Sequence, residues 1–421
     1  MDSFISNQGG KEVNKEPLWT KGFIQIWVSN FFLFMTFYFL LVSLPIYAIR
    51  ELNGKQSTAG LVVTVFIITA ILIRPVAGNL MQKFGKKAIF VTSLLIFLVA
   101  AVFYLFTDSI TSLLIVRALH GIGFGMATTA TGTIVADILP SSRRGEGMGY
   151  YSMSMNLAMV VGPFIGLQAI NSWGTSTLFI LALIFAFFAI LTGGFMKLDS
   201  DMETERVEQE AKVKEKKGIQ FDRIIESTAV KISIVAAIFG LVYSSILSFV
   251  SVYAENKGFI SVSGYFFVVY AIFMLIARPF AGKWFDRYGA NKIVYSCIVL
   301  FSIGMLVLGT AQSEWMFLLS AALIGLGYGS MFPCLQTIAI QKAAPHRRGL
   351  ATATFLSIFD IGIGFGSYIV GIIGDAIGLN SFYSLSSIYI LIGIAVYYYL
   401  HGKTIRNEKT VTKKEQLNRG A

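Results

Sequence analysis

The sequence predicts an all-α integral membrane protein with twelve transmembrane helices, arranged as two pseudo-symmetric bundles of six. Three observations support this fold class. Hydrophobic residues make up 55% of the chain and charged residues 14%, which is more apolar surface than a soluble core can hide. Apolar segments of about 20 residues, long enough to cross a bilayer, recur along the sequence. Short motifs also return at one constant spacing.

This internal repeat has a spacing of 204 residues and contains no gap. It begins with Arg74-Pro75-Val76-Ala77-Gly78, which returns as Arg278-Pro279-Phe280-Ala281-Gly282. The other matches are Gly85 with Gly289, Gly121 with Gly325, Gly123 with Gly327, Gly125 with Gly329, Arg143-Arg144-Gly145 with Arg347-Arg348-Gly349, and Gly162 with Gly366. One ungapped shift over such a length rarely arises by chance. Two related halves with a site between them are typical of many transporters.

Twelve apolar segments are expected to span the membrane. In the first half they are Gly22 to Ile49, Ser57 to Met81, Ala88 to Thr107, Thr111 to Ile138, Gly147 to Ile170 and Gly174 to Met196. In the second half they are Ala229 to Ala254, Ser261 to Trp284, Lys292 to Ala311, Trp315 to Gln341, Gly349 to Gly374 and Leu379 to Leu400. The first segment is too long for a cleavable signal peptide and has no small-residue cleavage site.

The distribution of cations predicts the orientation of these spans. If both termini are cytoplasmic, the opposite side of the membrane holds only Arg50, Lys55 and Lys257 in its loops. Short loops rich in Lys and Arg stay in the cytoplasm. We therefore expect a multi-pass protein of the cell membrane with both termini inside. The net charge of +11 then reflects topology and contact with anionic lipid, and a nucleic-acid partner is not expected.

The apolar segments and the charged segments between them divide the chain into five parts. They are a cytoplasmic tail at 1–21, a six-helix bundle at 22–197, a linker at 198–228, a second bundle at 229–401 and a cytoplasmic tail at 402–421. The linker is rich in Glu and Lys and poor in large apolar residues. No Cys/His cluster or phosphate-binding loop suggests a metal, a cofactor or ATP. We expect a monomer that is not an enzyme.

The loop after the second span resembles the signature loop of the major facilitator superfamily. That signature places a Gly, an Asp, a basic residue, a second Gly and two further basic residues at the spacings found here, except that Gln82 replaces the Asp. The repeat after span eight keeps the acid as Asp286. The resemblance implies a gating role for Gly78, Gln82, Lys83, Gly85, Lys86, Gly282, Asp286, Arg287 and Gly289.

Spans four and five carry two more motifs similar to those of this superfamily. Arg117-Ala118-Leu119-His120-Gly121-Ile122-Gly123 resembles a motif built on an intramembrane Arg and a Gly pair. Span five matches the spacing of the motif found in proton-coupled antiporters at Gly149, Ala158, Gly162, Pro163 and Gly166, with Ala158 in place of one Gly. Small residues at this spacing let neighbouring helices approach closely. The resemblance covers essentially the whole chain and implies the twelve-span drug:proton antiporter group.

Asp360 is the only acidic residue that lies deep inside an apolar span. A carboxylate placed there costs about 2.5–3.5 kcal/mol, and such residues usually face a cavity. Its repeat-equivalent is Asn156. Two roles stay open for Asp360: proton coupling with substrate contact, or a protonated hydrogen-bond partner between helices. Arg117 and His120 are further candidates for proton coupling, with structural roles as their alternatives.

Arg74 and Arg278 each precede a proline near the cytoplasmic end of a span. We expect both side chains to extend towards that surface and bind the loop, without contacting substrate. Asp137, at the inner end of span four, is expected to lie near Lys83 and Lys86. An ion pair there would close the inner side and stabilise the outward-open state.

Polar and aromatic residues in spans one, five, seven, ten and eleven are expected to line a central cavity. The predicted substrate-binding residues are Tyr38, Ser43, Tyr150, Asn156, Tyr243, Ser244, Ser248, Tyr328, Gln336 and Asp360. Such walls suit bulky, partly apolar ligands. Exporters of this group that prefer lipophilic cations often carry an acid in span one, seven or ten, and this sequence has none there.

Three hypotheses of function follow. The first is a proton-coupled exporter of small amphipathic molecules or drugs, working by alternating access with protons, substrate and lipid as its partners. The second keeps the fold and changes the cargo to a polar anionic or zwitterionic metabolite, such as a metallophore or a sugar. The third is a membrane receptor or scaffold that transports nothing, which would need neither gates nor an acid in mid-membrane.

Overall fold

A computed structural model describes residues 17–140, 143–196, 225–344 and 347–403. Twelve of its helices are long and apolar enough to cross a membrane, which confirms the predicted number of spans. No residue within these four ranges lies in a β-strand. The predicted tails and linker fall mostly outside the described residues.

The helices are numbered in chain order. The first six are α1 (Lys21–Arg50), α2 (Gln56–Phe84), α3 (Lys86–Phe103), α4 (Ile110–Ile138), α5 (Arg144–Gln168) and α6 (Thr175–Gly194). The second six are α7 (Ser227–Asn256), α8 (Ser263–Tyr288), α9 (Ala290–Gly309), α10 (Glu314–Lys342), α11 (Arg348–Ile377) and α12 (Leu379–Tyr397). Short π-helical turns extend α5 and α12.

The ends of the helices repeat at the offset found in the sequence. Ser109 and Ser313 cap the N-termini of α4 and α10, and each side chain accepts a hydrogen bond from the first turn. Gly85 and Gly289 end α2 and α8, each with φ of 85°. This left-handed conformation costs glycine little, and it lets the next helix begin after a single residue.

Helix packing inside each half repeats at the same offset. A Cβ atom on Gly121 would lie 2.4 Å from the carbonyl oxygen of Phe66, and one on Gly325 would lie 2.3 Å from that of Tyr270. Phe66 and Tyr270 are themselves 204 residues apart. The close contact of α2 with α4 therefore recurs between α8 and α10, which confirms the predicted duplication.

The antiporter motif of span five makes close contact with α1. Cβ atoms on Gly162 and Gly166 would lie 3.0 Å from the amide nitrogen and 2.6 Å from the carbonyl oxygen of Phe39. Ala158 is fully buried. Gly149, in contrast, has no neighbouring atom within 4 Å of a built Cβ. Close approach of helices, as expected from the motif, is confirmed for Gly162 and Gly166 but not for Gly149.

The largest contacts between the two halves are made by α2 with α11, α5 with α8 and α1 with α7. We call the end of the bundle that holds Arg50, Glu255 and Asp375 the Arg50 end. The opposite end, which holds Lys83 and Asp137, is the Lys83 end. The functional side chains described next lie between the halves or at these two ends.

Candidate transport site

An ion pair joins the two halves near the middle of the bundle. Arg74 of α2 places NH1 2.9 Å from Oδ2 of Asp360 in α11. The expectation that Arg74 extends to the membrane surface is therefore wrong, because a carboxylate within an apolar span requires a cationic or hydrogen-bonding partner. Both side chains keep partial exposure, 26% for Arg74 and 30% for Asp360. The pair can therefore be reached from the space between the halves.

A neutral counterpart of this pair occupies the repeat-equivalent position. Arg278 of α8 donates from NH2 to Oδ1 of Asn156 in α5 over 3.5 Å. Arg278 is equivalent to Arg74, and Asn156 is equivalent to Asp360. The expected surface-directed position of Arg278 is therefore also wrong. Each half contributes one arginine to the other half, but only one of the two arginines meets a carboxylate.

Four tyrosines from both halves gather beside these arginines. Tyr243 and Tyr328 stack with their ring centroids 4.0 Å apart, and Tyr270 lies 6.0 Å from Tyr243. Tyr38 of α1 lies within electrostatic range of both Asp360 and Tyr270. The structure thus places Tyr38, Tyr243 and Tyr328, three of the predicted substrate-binding residues, in one cluster. Tyr270 was not among the predicted residues, although it lies two turns from Arg278 on one face of α8.

Three predicted substrate-binding serines lie at helix contacts. Ser248 Oγ is 2.8 Å from Ser367 Oγ in α11 of the same half. Ser244 Oγ lies 2.6 Å from the position of a Cβ on Gly366, also in α11. Ser43 is fully buried and donates to the Phe39 carbonyl within α1. The prediction that Ser244 and Ser248 face the cavity is therefore corrected, because these small residues allow α7 and α11 to pack closely.

Two further predicted substrate-binding residues lie apart from the tyrosines. The Tyr150 ring is 5.0 Å from the ring of Trp19, and its carbonyl accepts a hydrogen bond from Trp27 Nε1. This contact fixes the start of α5 against α1 at the Lys83 end. Gln336 of α10 is half-buried.

Arg117 and His120 form a buried cluster inside the first half. Arg117 donates from Nε to the Val62 carbonyl over 3.0 Å, and its guanidinium lies 4.1 Å from the Phe66 ring centroid. His120 Nδ1 is 3.1 Å from the Tyr104 hydroxyl. These contacts join α4 to α2 and to the end of α3. They place both residues in a structural setting separate from the Arg74–Asp360 pair.

The Lys83 end carries the predicted gate in part. Lys86 Nζ lies 2.6 Å from Asp137 Oδ2, which confirms that these two residues meet. Lys83 lies 5.1 Å from the Phe84 ring centroid, and Arg287 lies 5.3 Å from that of Tyr288.

The remaining gate residues complete the two loop copies. Gly78 has open space around it, with no atom within 4 Å of a built Cβ. Gln82 lies in the last turn of α2. The side chain of Asp286 and the surroundings of Gly282 lie outside the described part of the chain.

A second ion pair at this end holds α7 to the loop before α11. The guanidinium of Arg347 bonds to the carboxylate of Glu226, and the backbone N–H of Glu226 donates to Thr354 Oγ1 over 2.9 Å. The bond from Arg347 lowers the pKa of Glu226 below its ordinary value. The pair therefore stays ionised near neutral pH and is lost only as the pH falls through this lowered pKa.

The Arg50 end is closed by polar contacts between the halves. Arg50 Nε lies 2.7 Å from Oε1 of Glu255, and Asn171 donates to Ser263 Oγ over 3.4 Å. Asp375 at the end of α11 accepts hydrogen bonds from the first two amides of α2, Gln56 at 3.0 Å and Ser57 at 2.9 Å. This carboxylate caps a helix of the other half, where the helix dipole favours negative charge.

The position of these contacts defines the conformation. The hydrogen bonds and ion pairs described above that join the two halves lie at the Arg50 end or at the depth of Asp360. Phe84 and Tyr288, at the Lys83 end of α2 and α8, are exposed. The space beside Asp360 is thus closed from one side.

Twelve spans in two duplicated bundles, closed at one end and joined in the middle by an ion pair, are the architecture of many secondary transporters. The sequence profile of the Major Facilitator Superfamily matches residues 26–267 and 260–420. The chain belongs to the major facilitator superfamily. It is a transporter and not an enzyme.

Known proteins similar to this chain fit that membership. The Staphylopine export protein of Staphylococcus aureus is 23% identical over 88% of this chain and 94% of its own length. Multidrug resistance protein 1 of Bacillus subtilis is 26% identical over 89% of this chain and 95% of its own length. The crystal structure of a D-xylose-proton symporter matches with a TM-score of 0.71 at 15% identity, covering 90% of this chain and 97% of that protein. This structural match supports the major facilitator fold.

Proposed function

We propose that this transporter is a proton-coupled exporter and that Asp360 is its proton site. The Arg74–Asp360 pair carries this proposal, because it is an ionisable link between the two moving halves. Its partial exposure allows protons to reach it from the space between the halves. The repeat-equivalent Arg278–Asn156 contact cannot bind or release a proton in the same way. The charge of the Arg74–Asp360 contact can therefore change with pH, whereas the charge of the Arg278–Asn156 contact cannot.

Protonation of Asp360 would alter the balance between two orientations of the halves. The ionised pair holds α2 against α11 in the present conformation. When Asp360 binds a proton, the attraction to Arg74 weakens, and the alternative conformation gains population. We assign the Lys83 end to the cytoplasm on the positive-inside rule, with both termini on that side. The present conformation is then closed on the outside.

The proposed cargo is a small amphipathic molecule. The tyrosine rings beside the two arginines form an aromatic cluster with few fixed charges, which suits a partly apolar cargo. Similar proteins are named for multidrug resistance and for staphylopine export, which fits the direction of transport. A second class of cargo, polar anionic or zwitterionic metabolites, is favoured by one observation. Arg278 meets a neutral amide where Arg74 meets a carboxylate.

Transport by purified protein in proteoliposomes tests the proposal. The probes are ethidium, rhodamine 123 and rhodamine 110, with a pH gradient imposed across the membrane. We expect wild-type protein to move at least one probe against its concentration gradient, and collapse of the pH gradient to stop this movement. Probe transport at a rate that does not depend on the pH gradient would contradict proton coupling.

The Lys86–Asp137 pair is expected to influence the rate of transport more than binding. In Asp137→Ala the pair is lost, and a half-exposed ion pair is worth about 0.5–1 kcal/mol. We expect transport to fall by about two- to fivefold while probe affinity stays unchanged. Asp108→Ala, which removes an exposed acid at the opposite end, is the control. A change in affinity that matches the change in rate would place Asp137 in the binding site.

Loss of the Asp375 cap is expected to open the Arg50 end. Asp375→Ala leaves two amides of α2 without their acceptor, at a cost of about 1 kcal/mol to this conformation only. The population open at the Arg50 end should rise about fivefold. Labelling of a cysteine introduced at the buried Ser263 measures this rise. Equal labelling in Asp375→Ala, Asp108→Ala and the parent protein would show that the cap does not hold this end closed.

A further inference from the structure

Arg278 carries a positive charge that no acidic residue in the described part of the chain neutralises. Its NH2 group lies 3.5 Å from Asn156 Oδ1 and 3.8 Å from Met274 Sδ, both long contacts to neutral atoms. Its buried Nε has no hydrogen-bond partner. A guanidinium within a membrane span is costly unless it is paired. The described part of the chain thus leaves this guanidinium without an anionic partner, which favours one supplied from outside.

The groups around Arg278 supply hydroxyl donors and aromatic faces. Tyr270 lies within electrostatic range of Arg278 on the same helix. Tyr328 completes the cluster, and its hydroxyl is buried without a hydrogen-bond partner. Together with the Arg74–Asp360 pair, the site contains two guanidinium groups and one carboxylate. Its fixed charge is balanced when one negative charge is added beside Arg278.

We propose that Arg278 binds a carboxylate of the transported substrate. A guanidinium presents parallel N–H donors that match the two oxygens of a carboxylate. The tyrosine rings would hold an apolar or aromatic body attached to that acid group. This inference rests on the proposed transport function and narrows its cargo to organic acids, including zwitterions, that carry an aromatic or apolar portion.

Equilibrium binding to the purified full-length protein tests this assignment without any pH gradient. The probes are rhodamine 110 and its methyl ester rhodamine 123, with a panel of aromatic carboxylic acids and their methyl esters. A charge-assisted hydrogen bond contributes about 1.5–3 kcal/mol. We therefore expect wild-type protein to bind acids about tenfold or more tightly than the matched esters.

Two variants should remove this preference by opposite routes. Arg278→Gln removes the cation, and Asn156→Asp supplies an internal carboxylate that makes this contact resemble the Arg74–Asp360 pair. In both variants we expect the affinities for acids and for esters to differ by about twofold or less. A difference of that size is no larger than the contribution of a single exposed ion pair. Arg278→Lys should keep part of the preference, since it keeps the charge. Lys231→Gln, an exposed cation on α7, is the matched control and should keep all of it.

Three results would overturn the assignment: equal binding of acids and esters by wild-type protein, a panel in which no acid binds, or a preference for acids that survives in Asn156→Asp. Asn156→Asp retains every cation of the site, so it still tests whether Arg278 binds the substrate carboxylate if Arg278→Gln does not fold. Because no gradient is applied, failure of this test is separate from failure of proton coupling at Asp360.

Discussion

Asp360→Asn is expected to abolish accumulation of substrate against a gradient, while leaving the protein folded and able to bind. The amide keeps the size and most of the hydrogen bonding of the acid but cannot release a proton. The Arg278–Asn156 contact shows that the fold accommodates an Arg–Asn pair at the equivalent position. Proteoliposome flux should therefore become passive and lose its dependence on pH between about 5 and 8.

The control for this variant is Asp108→Asn, which removes an exposed acid outside the halves' contact surface. It should transport like the wild-type protein. If Asp360 only bonds helices together, Asn should serve nearly as well and uphill transport should persist. In that case His120 would become the next candidate for the proton site, despite its enclosure between Phe66 and Phe97.

Gly121→Val and Gly325→Val are expected to destabilise the protein severely and to similar extents. Even the Cβ of either new residue would lie 2.3–2.4 Å from a backbone carbonyl oxygen, and backbone cannot move aside as a flexible side chain can. Overpacking of this kind costs about 1–3 kcal/mol or more. Thermal unfolding of purified protein measures the loss.

Gly78→Val supplies the comparison, because no atom lies within 4 Å of a Cβ built at Gly78. It should leave stability nearly unchanged, because valine has a helix propensity slightly better than that of glycine, by less than about 1 kcal/mol. A large difference between Gly121→Val and Gly325→Val would contradict the equivalence of the two halves. Equal stability of all three variants would contradict the close helix contacts themselves.

The repeat explains why much of the fold could be predicted from sequence. Glycines at Gly85, Gly121 and their equivalents each mark a backbone conformation or a close contact, so a single offset carries structural information. The Lys86–Asp137 pair could be predicted for a similar reason, since both residues flank loops at one end of neighbouring spans. Local chemistry and topology were sufficient in these cases.

The partner of Arg74 could not be predicted from its local sequence. An arginine before a proline near the end of an apolar span suits either a surface position or a contact with another helix, and only the packing of α2 on α11 distinguishes them. One signal was available. The offset that relates Arg74 to Arg278 also relates Asn156 to Asp360. This shared offset indicates that the two arginines pair with these two polar residues.

The serines of α7 show a second limit of sequence reasoning. A small polar residue in a transmembrane helix can face a cavity or allow another helix to approach, and its spacing is the same in both cases. Ser248 meets Ser367 inside the second half. The aromatic residues were more informative, since Tyr243 and Tyr328 stack on each other in the tyrosine cluster beside the two arginines.

The distance between the halves, measured as a function of pH, tests most directly whether Asp360 controls the transporter. Spin labels at Phe84→Cys and Tyr288→Cys, exposed repeat-equivalent positions at the Lys83 end, report this distance. In the Asp360-containing protein we predict that the distance distribution shifts between about pH 5 and pH 8 as the Arg74–Asp360 link is lost and regained. In Asp360→Asn the distribution should not change with pH. A shift of equal size in Asp360→Asn would contradict the assignment of Asp360 as the proton site.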